Sequence, residues 1–192
     1  MSPLERTALQ LASGRILDVG AGSGCHSLAL QAAGKEVEAI DISPLSVEAM
    51  RRRGVGQAVQ ANLFSDSFCG AYDTLLMLMN GSGIIGRLEN LPAFFRKAKQ
   101  LLRPGGSILM DSSDLRYLYE DEDGSFVIDI AGDYYGEVDF RMQYKQVEGD
   151  PFDWLYIDFQ TLSLYAAQNG FTAELAKEGK HYDYLARLRP KA

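Results

Sequence analysis

The run Ile16-Leu17-Asp18-Val19-Gly20-Ala21-Gly22-Ser23-Gly24 places three glycines at every second position behind a short apolar stretch that contains an acid. Glycine permits positive φ and lets a ligand approach the backbone closely. A helix starting just beyond such a turn offers unpaired N–H groups to a polar or anionic ligand part. The run therefore reads as the seat of a nucleoside ligand, with the turn of Gly20, Ala21, Gly22 and Gly24 against it. Spacing chooses among such ligands. A GxGxxG turn for a pyrophosphate needs its third glycine where Cys25 stands, which favours a ligand without pyrophosphate and demotes a dinucleotide dehydrogenase. Asp41 lies 21 residues beyond Gly20, where an acid closing the next strand accepts bonds from ribose hydroxyls. Its alternative is a helix cap before Pro44, although Ser43 is the better-placed cap.

Groups able to move a proton are few. His26 follows the glycine run and His181 stands near the C-terminus beside Tyr182; their ordinary pKa makes both weak candidates for a general base. Asp111, with Ser112, Ser113 and Asp114, falls at the carboxyl end of an expected strand, the edge where open α/β sheets bind ligands. It is a candidate base or acceptor contact, and its alternative is a cap ahead of residues 115–119. Two cysteines, Cys25 and Cys69, are 44 positions apart and only two histidines exist, so no metal site is expected and the thiols read as free and buried.

Residues 15–110 alternate β-branched or Leu-rich runs with amphipathic stretches, the pattern of βα units around a parallel sheet. The expected strands cover 16–19, 36–40, 57–60, 74–79 and 107–110. The expected helices cover 27–33, 44–53 and 91–102, the second capped by Ser43 with Pro44 at its first position. Arg51, Arg52 and Arg53 close that helix ahead of Gly54, and read as a solvated cap rather than a phosphate site. Beyond Asp111, ten acids in residues 111–140 face Arg116 alone, a net −9 that leaves the rest of the chain at +2. Eleven of the twenty aromatics fall in residues 117–159. Alternation in 126–130 and 138–144 suggests an inserted antiparallel hairpin, after which a helix at 159–169 and strands at 172–176 and 182–188 close the fold.

The 192 residues suit one domain, expected as a cofactor-binding part (15–111), an inserted segment (112–157) and a closing helix and hairpin (158–192). A net charge of −7 offers no field for a nucleic acid, and no apolar run approaches the eighteen residues of a membrane span. No leader is visible at the N-terminus, so a reducing cytoplasm is the expected compartment.

Residues 18–24, then Asp41-Ile42-Ser43, Ala61-Asn62-Leu63 and Leu102-Arg103-Pro104-Gly105-Gly106 resemble, in order and spacing, the class I S-adenosylmethionine-dependent methyltransferases. The resemblance covers residues 15–111 and implies a doubly wound, Rossmann-like α/β sheet of seven strands with the last antiparallel. It implies S-adenosyl-L-methionine as cofactor, with Asp18 toward the methionine ammonium, Gly20 and Gly22 along methionine and ribose, and Asp41 on the ribose hydroxyls. Ile42 would then pack on adenine while Asn62 and Leu63 hold its edge; Asn62 stands where many members carry aspartate, and a plain turn role stays open. Asn80 in Asn80-Gly81-Ser82-Gly83 borders the methyl donor in this family. The Asn-Pro-Pro-aromatic quartet of several amine methylators is absent, which leaves Asn80 and Ser82 as candidates for the methionine or acceptor side.

A sulfonium is already an activated leaving group, so alignment of an acceptor and exclusion of water supply most of the catalysis, on the order of 7 to 11 kcal/mol. An amine needs no base, whereas a hydroxyl benefits from one. The expected function is methyl transfer to a small molecule. Tyr117, Tyr119, Tyr134, Tyr135 and Trp154 are expected in a lid whose acids favour an amine-bearing acceptor. The plainer reading packs these aromatics on the core or on a second copy in a homodimer. Rivals are aminopropyl transfer, which an acidic pocket would suit, and a cofactor-binding module without turnover.

Overall fold

The computed structural model describes residues 1–121, 123, 125–126 and 132–191. Along the chain run α1 (Pro3–Leu11), β1 (Arg15–Val19), α2 (Cys25–Ala32), β2 (Glu36–Asp41), α3 (Pro44–Arg52), β3 (Ala58–Gln60) and β4 (Tyr72–Met77). A 3-10 turn (Gly81–Ile85) then leads through α4 (Leu91–Leu101) into β5 (Leu102–Ser113). The short strands β6 (Glu137–Phe140), β7 (Gln143–Tyr144), β8 (Val147–Glu148) and β9 (Phe152–Leu155) follow, then α5 (Phe159–Gln168), β10 (Phe171–Glu178) and β11 (Asp183–Pro190).

Seven strands form one sheet in the order β10-β11-β5-β4-β1-β2-β3, parallel from β3 to β5, with β11 antiparallel to both neighbours. Alternate residues of each central strand reach opposite faces. Leu17, Leu75, Met77 and Ile108 meet Phe94 and Phe95 of α4 and Leu162 of α5 on one side. Ile16, Leu76 and Leu109 meet Leu4 and Ala8 of α1 and Leu30 of α2 on the other. Burial on both faces is why these strands read as apolar runs rather than alternating ones.

Helix α1 has no counterpart in the sequence expectations, yet its signal is present. Ser2 accepts from the Glu5 N–H while the Glu5 side chain takes the Ser2 N–H, a capping box with Pro3 at the first position. The arginines ending α3 are exposed as expected, but Arg53 also reaches back to the Ser23 carbonyl at 2.6 Å and so braces the glycine turn. Neither thiol is buried: Cys25 is half-buried and Cys69 exposed.

The inserted segment pairs differently from expectation. Strand β6 joins β9, with β7 and β8 as its tip, because Val138 opposes Trp154 rather than a residue of 126–130. Within that stretch Phe126 bridges Glu120, and residues 127–130 lie outside the described residues.

Candidate functional site

The strand order reverses between β1 and β4, so the loops leaving their carboxyl ends diverge and open a crevice. A cavity of about 760 Å³ occupies it, well within the range of sites that enclose a small molecule. Its floor is the glycine turn. Gly20 and Gly22 adopt φ of 67° and 56°, and a Cβ at Gly22 would meet no protein atom within 4 Å, so that face of the backbone is bare toward the cavity. Asp41 fastens the turn to β2: one carboxylate oxygen accepts from the Gly22 N–H at 2.9 Å and the other from the Ser43 N–H at 2.8 Å. Beneath it, Asp18 is buried and accepts from the Ser27 hydroxyl at 2.6 Å. Burial pushes its carboxyl above the usual range, although the Ser27 hydroxyl counters part of that rise.

The far wall comes from Ile42, Asn62, Leu63 and Phe64. Ile42 is 70% exposed, an apolar surface with no protein cover. The Asn62 side-chain carbonyl accepts from the Phe64 N–H at 2.9 Å, so Asn62 both shapes a turn and faces the cavity.

A second cavity, about 340 Å³, lies beside the first and shares Met79 with it. Its lining includes Glu5, Asn80, Asp111, Ser113 and Asp183, from α1 and the ends of β4, β5 and β11. Met79 and Asn80 both hold positive φ, 66° and 57°, an arrangement that costs energy in residues with side chains. Asp111 holds it in place, accepting from the N–H groups of Met79 (3.1 Å) and Gly81 (2.9 Å). Burial raises the Asp111 carboxyl to about 6 despite those bonds. Between the cavities, His26 is buried with Nε2 2.6 Å from Glu5 Oε1. Glu5 is partly buried, which alone would raise it, but the Ser2 N–H and His26 hold it below the usual carboxylate range.

The structure thus brings Asp18, Gly20, Ala21, Gly22, His26, Asp41, Ile42, Asn62 and Leu63 to one cavity, and Asn80 and Asp111 to its neighbour. Gly24 instead faces the core, where a Cβ would press on Val55 and Met50. Ser82 faces neither cavity; its hydroxyl lies 2.7 Å from that of Ser112 and 2.8 Å from the Leu155 carbonyl oxygen, tying the inserted segment to the sheet. Tyr134 and Tyr135 donate to Asp158 and Asp114, and Tyr117 stacks on Tyr182; of the expected lid aromatics Trp154 alone lines either of these two cavities. His181 is exposed and lines neither. Sequence reasoning overlooked Glu5, Phe64, Met79, Phe152 and Asp153; only Glu5 carried a local signal, its place in the capping box. Among the described residues no group of three His, Cys, Asp or Glu is arranged for a metal, and no helix is long and apolar enough to cross a membrane.

A family model described as a methyltransferase domain matches residues 2–183. The crystal structure of an SAM-dependent methyltransferase from Bacteroides fragilis, in complex with S-adenosyl-L-homocysteine, is 74% identical with a TM-score of 0.95, covering 100% of this chain and 78% of that one. The ubiquinone biosynthesis O-methyltransferase of Xanthomonas euvesicatoria pv. vesicatoria (strain 85-10) is 31% identical over 116 residues, 55% of this chain and 46% of that protein. The cypemycin N-terminal methyltransferase of Streptomyces sp is 29% identical over 102 residues, 52% of this chain and 42% of that protein. The chain therefore spans about half the length of the curated relatives it matches. With a family model matched over nearly its whole length and a seven-stranded sheet of the expected order, the chain belongs to the methyltransferase domain family and has the class I S-adenosylmethionine-dependent fold.

Proposed function

We propose that the whole protein transfers the methyl group of S-adenosylmethionine, held in the larger cavity, to a small-molecule acceptor held in the smaller one. The observation that carries this reading is their shared wall at Met79, at the carboxyl edge of the parallel strands. The residues present suit the donor. The bare backbone at Gly22 accepts close approach, and Asp41 keeps a free lone pair on each oxygen for ribose hydroxyls. Exposed Ile42 offers an apolar face to adenine, and Asn62 retains a second lone pair for an amino group. Asp18, near the carboxyl end of β1 and held by Ser27 of α2, suits an ammonium.

The donor supplies a methyl group already bonded to a good leaving group. The chain then has to align an acceptor and exclude water, a contribution on the order of 7 to 11 kcal/mol. The strained Met79-Asn80 backbone, fixed by Asp111, forms the boundary across which the groups meet. His26, oriented by Glu5, is the base we assign should the acceptor be a hydroxyl. The carboxylates of Glu5, Asp111 and Asp183 around the smaller cavity favour an amine-bearing acceptor. Relatives named for O-methylation and for N-terminal methylation leave both atoms in play. We place the activity in the cytoplasm, consistent with two unpaired cysteines.

Titration calorimetry tests the donor assignment. S-adenosylmethionine and S-adenosylhomocysteine should bind and NAD should not; Asp41→Ala should weaken S-adenosylhomocysteine by at least about tenfold, the scale of a lost hydrogen bond to a charged group. Binding of NAD in place of the sulfonium compounds overturns it. Methyl transfer from labelled donor to a panel of small amines and phenols then separates nitrogen from oxygen acceptors.

A further inference from the structure

The β6–β9 ribbon reaches the donor cavity through one strand, with Phe152, Asp153 and Trp154 on its lining. Two contacts hold that strand. The Trp154 indole lies directly on the backbone of Gly83, where a Cβ would collide with the ring. Four residues further along the same loop, Arg87 meets carboxylates of both ribbon strands. Its guanidinium is 3.2 Å from Glu137, 2.6 Å from Asp139 and 2.9 Å from Asp153, and the other Glu137 oxygen accepts from the Leu88 N–H at 2.7 Å. Phe152 is stacked on Phe140 and edge-on to Trp154.

We propose that Arg87 is a positioning residue that holds Trp154 as the outer wall of the donor cavity, so that the ribbon is a strap retaining donor and product. This rests on the donor occupying that cavity. Three features make the contact a strap rather than a fixed wall. The ion cluster is partly open to water, with Asp139 and Asp153 side chains 74% and 46% exposed, so salt screens it. One guanidinium faces three carboxylates of β6 and β9, so removing it ends the attraction between ribbon and loop and leaves the ribbon acids repelling one another. Glycine at position 83 leaves no side chain to interlock with the indole, so the ring can lift without unpacking the core.

Trp154 is the single tryptophan, so intrinsic emission reports the strap directly. In the wild-type protein, S-adenosylhomocysteine should shift Trp154 emission, and release after dilution should quicken several-fold between about 0.05 and 0.5 M NaCl. Arg87→Met should release the ligand about tenfold faster than wild type and lose that salt dependence, since such changes fall mainly on the off-rate. Asp139→Asn, at a more exposed position, should give an intermediate rate and decides the matter if Arg87→Met does not fold. Gly83→Ala should shift Trp154 emission before any ligand is added. Ligand binding with unchanged emission, or release from both charge variants within about twofold of wild type, overturns the strap while leaving the donor assignment intact. Failure of the wild-type protein to bind S-adenosylhomocysteine overturns both.

Discussion

Asp111 is 8% exposed at the end of β5, and its two oxygens accept from the N–H groups of Met79 and Gly81. That arrangement makes it the support of a strained loop rather than a free proton carrier. Its position was legible, because an acid ending a central strand of a parallel sheet falls at the ligand edge. Its partners were not, because they lie 30 and 32 residues earlier on a neighbouring strand's loop. Burial gives a testable sign. The native carboxyl protonates near 6 and the unfolded one near 3.8, so the native state binds the extra proton between those values. The stabilisation Asp111 gives is full below about pH 4 and is lost as pH rises through about 6, on the order of 3 kcal/mol. Urea unfolding of Asp111→Asn across pH 4 to 7 should therefore show a flatter profile than wild type. Parallel profiles would place the proton elsewhere, Asp18 being the other buried acid shifted upward among the described residues.

At the scale of elements, the glycine turn separates two roles that its sequence spacing presents as one. Gly22 faces the cavity and Gly24 faces Val55 and Met50. Both hold positive φ, so alanine at either strains the backbone by about 1 to 2 kcal/mol. Gly22→Ala should add little to that cost but intrude on the ligand, weakening S-adenosylhomocysteine more than it lowers the melting temperature. Gly24→Ala should do the reverse, since its Cβ must displace core side chains. Paired calorimetry and thermal melts of the two variants check this. The inserted ribbon shows what local pattern misses: alternation marks half-buried strands, but the ribbon of β6 and β9 packs against Arg87 and Gly83, far away in the chain.

Across the whole molecule, the net charge of the inserted segment is less free than its composition suggests. Glu137, Asp139 and Asp153 surround Arg87, and Asp114 pairs with Arg116 while accepting from Tyr135. Acids that read as a diffuse field are in good part local braces. Donor binding should also register globally, because a ligand specific for the folded state stabilises it by mass action. S-adenosylhomocysteine at 100 times its Kd should contribute about 2.7 kcal/mol and raise the melting temperature by roughly 5 to 11 °C for a chain of this size. NAD at the same concentration should leave the melting temperature unchanged.

Residues 15–111 determined the parallel βα core and the cavity-facing turn through local rules: glycines where φ must be positive, an acid closing a strand, proline after a cap. Those choices are made within a few residues, so they survive in a linear reading. Tertiary structure alone decided the second cavity, the Glu5–His26 pair and the seat of Trp154. Each joins groups from distant parts of the chain, and the free energy of such a contact exists only once the sheet has brought them within bonding distance.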